Sequence, residues 1–127
     1  MPHADPEARI VLTTAADHEE AARLAGKLVE EGLAACATIV PGAQSIYRWE
    51  GKVEHAAEVL VLIKTRTPQL AELEARLHAL HSYLTPEFLV LPVDSGSQRY
   101  LDWLKASVGT PLDPGVDPGV GPGNDQL

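Results

Sequence analysis

The chain has 127 residues, 45% of them apolar, enough for one domain with a buried core. Ten Lys and Arg stand against 18 Asp and Glu, a formal charge of -8, which excludes a nucleic-acid surface and suits a protein that meets cations or small molecules. The single cysteine permits neither an internal disulfide nor a paired-cysteine metal motif, MPHADPEARIVLTT lacks the pattern of a signal peptide, and the aliphatic run Val59–Ile63 is too short for a membrane span; a cytoplasmic protein with no membrane partner is expected.

Ile10–Thr14 is a short β-branched run and predicts a strand. Asp17 then caps a helix, with Glu20 three residues later in the place that completes a capping box. Ala21, Leu24, Ala25, Leu28 and Val29 recur at helical spacing, and Gly32 supplies the stop. Ala35–Trp49 is extended but interrupted at Pro41-Gly42, as in an edge strand or bulge. Glu50-Gly51 turns the chain into a second strand that ends in EVLVLIKT, making a hairpin.

Thr67-Pro68 opens the next helix, whose buried stripe is Leu70, Leu73, Leu77 and Leu80. Pro86 precedes a strand over Glu87–Val93, and Gly96 precedes a final helix through Tyr100, Leu101 and Leu104. The order β-α-β-β-α-β is that of the α+β ferredoxin-like split βαβ fold, with an antiparallel sheet and a C-terminal helix. Two helices cover one face of such a sheet, yet Val59–Ile63 is apolar toward both, so a second copy of the chain is the economical cover. From Gly109 the composition changes. Residues 109–127 hold five of the ten glycines and four of the ten prolines and are expected to form a flexible tail, leaving 1–108 as the domain. Without the tail's three aspartates the domain's charge is near -5.

An RNA-recognition module would carry stacking aromatics on its central strands, and IVLTT and EVLVLIK contain none. A soft-metal chaperone would pair cysteines, and Cys36 is alone in a small-residue strand where a free thiol behaves as a compact core group. No Ser-His-Asp order or phosphate-cradling glycine loop is present, and TAADHEE stands where an acylphosphatase would need an arginine-bearing loop, so no enzyme is expected.

LVEEGLAACATIVPGAQSIYRWEGKVE, EVLVLIKT, HSYLTPEFLVLPV and YLDWL, in that order over residues 9 to 108, resemble the CutA divalent-cation tolerance proteins. The resemblance implies a homotrimer that pairs sheet edges and a link to tolerance of copper and other divalent cations. It also implies a copper site of one cysteine and two adjacent histidines, and those positions fall here on Thr13, Leu80 and His81, with Ser82 where the family's proline would stand. Two of the three ligand types are absent, since a hydroxyl and an isobutyl group do not replace a thiolate and an imidazole. What remains is a weak site for Cu²⁺ or another divalent cation at His81, aided by His78 three residues before it or by Glu87. The competing reading makes both histidines partners of a helix C-terminal dipole. His3, His18 and His55 are expected in solvent. A second candidate set, Tyr47, Trp49, Lys64 and Tyr83, would converge with Glu87 on clefts between subunits, as in the PII-type trimers that bind small ligands there; Tyr47 and Trp49 would equally serve as interface packing. A trimeric scaffold for partner proteins is the third alternative.

Overall fold

The computed structural model describes residues 3–112. The elements run β1 (Ala8–Ala15), α1 (His18–Glu30), β2 (Cys36–Trp49), β3 (Lys52–Arg66), a 3₁₀ turn (Thr67–Gln69), α2 (Leu70–Leu80), β4 (Leu89–Pro92) and α3 (Gln98–Ala106). The four strands form one antiparallel sheet in the order β2-β3-β1-β4, so the expected ferredoxin-like topology is the one adopted.

β1 and β3 are the central pair, with Ala8 opposite Arg66 and Ala15 opposite Val59. Strand residues alternate between faces, and burial follows that period. Val59, Val61, Ile63 and Thr65 are buried toward the helices, while Leu60, Leu62 and Lys64 are half-buried on the other face. The helix-side core joins Val11, Val61 and Ile63 to Leu24 and Leu28 of α1 and Leu73 and Leu77 of α2. Leu70 and Leu80 pack at its margin rather than inside it. α3 packs Leu101 and Leu104 on Ala8 and Ala35, which covers one end of the opposite face and leaves the rest open. Its start is set by Ser97, whose Oγ accepts the Tyr100 N–H at 3.3 Å, a cap that glycine counting did not find.

The interruption of β2 is a register shift between Val40 and Ala43, where proline removes a ladder donor. Beyond it, β2 and β3 continue as a two-stranded arm to a tight turn in which Glu50 has φ 50° and Gly51 φ 78°. That pair of left-handed residues matches the twist of the flanking strands. β4 is shorter than Glu87–Val93 and, among the described residues, pairs only with β1, over four residues.

Gly32 ends α1 in the left-handed conformation at φ 75°. Its carbonyl accepts the Gly109 N–H at 2.8 Å, and the Glu30 carbonyl accepts the Leu112 N–H at 2.6 Å. The chain after α3 thus docks on the open carbonyls at the end of α1, which an expected flexible tail from residue 109 did not foresee. The remainder of that tail, 113–127, lies outside the described residues.

Candidate functional site

At one end of the sheet the start of α1, the end of β1 and the segment after α2 meet around two buried polar side chains, Glu20 and His81. Asp17 caps α1 as its sequence suggests, Oδ1 accepting the Glu20 N–H at 2.8 Å. The carboxylate of Glu20 does not close the box on Asp17, however. Oε1 accepts the Ala16 N–H at 3.0 Å and Oε2 the Ser82 N–H at 2.7 Å, so the side chain ties the helix start to a segment 62 residues away. Burial pushes the Glu20 carboxyl up, but the bonds from Ala16 and Ser82 outweigh it and hold the group below the usual glutamate range. Arg23 adds a partly exposed cation, with Nη2 3.7 Å from Glu20 and donating to the Leu80 carbonyl at 3.3 Å.

His81 is the last residue of the α2 cap. Its N–H still donates to the Leu77 carbonyl at 2.9 Å, but its ψ of 144° is extended. That departure turns the ring inward, where its side chain has no exposed surface. Nδ1 accepts the Tyr83 N–H at 3.0 Å, which places the proton on Nε2, and Nε2–H donates to the Thr14 carbonyl at 2.7 Å. The Tyr83 ring lies 4.6 Å away, centroid to centroid, and its hydroxyl donates to Glu58 Oε2 at 2.8 Å. Burial first and the Glu58 carboxylate second push the Tyr83 hydroxyl well above the usual phenol range.

The expected helical pairing of His78 with His81 is not formed. His78 stays on the exposed side of α2, where its Nδ1–H donates to the Glu74 carbonyl at 2.8 Å, while the turn at His81 carries the second ring into the core. Glu87 is exposed. Among the described residues no group of three His, Cys, Asp or Glu is placed to hold a metal ion. Thr13 is fully buried and its Oγ1 has no hydrogen-bond partner among the described residues, but a buried hydroxyl is a poor copper ligand. Leu80 supplies no donor atom. The residues present therefore do not fit a preformed copper centre.

The second candidate set is divided within one chain. Tyr83 reaches Glu58, and Tyr47 and Trp49 stand 44% and 56% exposed on the arm. Lys64 lies opposite Cys36 while Tyr47 lies opposite Glu54, ten residues away along β3, or about 33 Å. The Lys64 ammonium is spent on the Thr38 hydroxyl. Cys36 is half-buried, its Sγ 3.6 Å from the Tyr100 hydroxyl, which burial and then the thiol push up to about 12. Sequence reasoning missed Arg23 and Glu58, and it gave Glu20 a partner only in Asp17, three residues before it, and not in Ser82.

Comparison with known proteins places this arrangement. Residues 9–107 match the family model of the CutA1 divalent ion tolerance protein. The divalent-cation tolerance protein CutA of Citrobacter koseri is 50% identical over 103 residues, 81% of this chain and 90% of that protein. The solved structure of the Thermus thermophilus divalent cation tolerance protein superposes with a TM-score of 0.79 at 47% identity, covering 80% of this chain and 99% of that one. A structure from Archaeoglobus fulgidus, named as a periplasmic divalent cation tolerance protein CutA, gives 0.77 at 39% identity, covering 80% and 99%. With the family model matched over residues 9–107 and relatives about half identical across four-fifths of its length, the chain belongs to the CutA1 divalent ion tolerance family.

Proposed function

We propose that this protein acts in divalent-cation tolerance as a homotrimer, and that its link to cations does not run through a preformed site at His81. The observation that carries the assembly is the uncovered apolar surface. Leu89, Val90 and Leu91 of edge strand β4 are 54%, 38% and 42% exposed, and Ile46 and Val53 on the arm are 63% and 65% exposed. An open apolar edge of this kind pairs with another chain unless something covers it. Native mass spectrometry is expected to give three times the mass of one chain, and Leu91→Lys, which puts a charge on the β4 edge, should shift it to the monomer. A monomeric parent protein sinks the reading.

The metal half rests on the His81 ring. To ligate Cu²⁺ it must leave its buried place and give up its bonds to Thr14 and Tyr83, so any affinity through this residue is weak. Calorimetric titration with Cu²⁺ is expected to give the same curve for the parent protein and for His81→Ala. Saturable binding near one ion per chain that disappears in the variant would overturn it. Residence in the cytoplasm belongs to the same reading, as a single cysteine suits a reducing compartment, and cell fractionation decides between cytoplasm and periplasm.

A further inference from the structure

Away from the Glu20–His81 cluster, the segment before β1 crosses the start of α3. His3 and Gly96 exchange two backbone hydrogen bonds of 2.8 and 2.9 Å. Between this strap and α3 lies a cavity of about 520 Å³, a size that fits a small metabolite. Its lining is about half polar and half apolar, and its charged groups carry both signs. Arg66, at the end of β3, spends Nε and Nη2 on Asp5 at 3.0 and 3.2 Å and meets Glu7 at 2.9 Å. Its Nη1 makes no hydrogen bond among the described residues. Asp102 and Lys105 line the cavity from successive turns of α3, and neither makes an ion pair among the described residues. Leu101, almost fully buried, supplies one apolar wall.

We propose that this cavity binds a small zwitterion, a short molecule with a carboxylate at one end and an ammonium at the other. The acid group would meet Lys105 and the spare edge of Arg66, and the amine would meet Asp102 and Glu7. A purely anionic ligand would face the three carboxylates of Asp5, Glu7 and Asp102, and a purely cationic one the ammonium and guanidinium. Only a molecule carrying both charges pairs each side without leaving the other repelled. Asp102 and Lys105 are neighbours at i and i+3 on the helix, so a compact ligand spans them.

The test is a ¹H–¹⁵N correlation spectrum of the full chain titrated with 4-aminobutyrate, beside butyrate and butylammonium. Saturable shifts at residues 98 to 105 are expected with 4-aminobutyrate, with affinity about tenfold weaker for either single-charge probe. Lys105→Gln and Asp102→Asn should each weaken 4-aminobutyrate by about tenfold too, and both side chains are exposed, so the fold tolerates the changes. No saturable shift with 4-aminobutyrate in the millimolar range, equal affinity for butyrate, or unchanged affinity in both variants would each overturn the proposal.

Discussion

Replacing Glu20 by alanine is expected to cost about 3 kcal/mol of stability, read from urea denaturation at neutral pH. The loss has two parts. Both carboxylate oxygens disappear as acceptors, leaving the Ala16 and Ser82 N–H groups without their charged partner, and the segment after α2 loses its tie to α1. Glu20→Gln separates charge from shape. Its amide oxygen can serve one N–H while its amino group faces the other, so it should lose about half as much. The pH dependence distinguishes the two causes. Because the folded carboxyl lies below the usual range, its stabilisation is present in full above the ordinary glutamate pKa and is lost as the pH falls through the folded value. The gap between the parent protein and Glu20→Gln should therefore be widest near neutrality and close in acid. A gap that stays constant with pH would show that the ionised form contributes nothing.

Gly32→Ala should cost about 2–3 kcal/mol. A left-handed alanine accounts for roughly 1–2 of these. The rest is steric, because a Cβ built at Gly32 would stand 2.7 Å from the Thr110 carbonyl carbon and 2.9 Å from its nitrogen. These are backbone atoms, so the docked segment must lift off, with loss of the Gly109 and Leu112 hydrogen bonds to the end of α1. A chain ending at Val108 has no such segment to displace. There the same substitution should cost only the left-handed part, and denaturation midpoints of the four proteins measure the difference. An equal cost with and without residues 109–127 would refute the docking argument.

Local chemistry in the sequence accounts for most of the fold. Asp17 and Gly32 bound α1, Pro41 marks the break in β2, and Glu50-Gly51 makes the turn of the arm. The alternation that leaves Leu60 and Leu62 on an open face was also visible, since a run apolar at every position needs cover on both sides. The site was less legible because its bonds are distant in sequence. Nothing local to Glu20 says that it will hold Ser82, and nothing local to His81 says that its ring will turn onto Thr14. Reading His78 and His81 at helical spacing assumed that the helix continued through both, and it ends at the second. Lys64 and Tyr47 were grouped by chemistry, although their places on one long hairpin already set them apart.

The strand order also governs how the chain reaches this state. β2 and β3 are joined by a tight turn and can pair within microseconds of a collapse. β1 must then insert beside β3 across a gap of some fifty residues, and β4 can join only after β1 is in place, bringing together parts of the chain about eighty residues apart. Such long-range pairings come late and slowly. Until β1 arrives, the Val59–Ile63 flank of the hairpin is a bare aliphatic edge. During synthesis β1 emerges first but waits for β3, and the interval in which that edge stands open is when the chain is most exposed to aggregation.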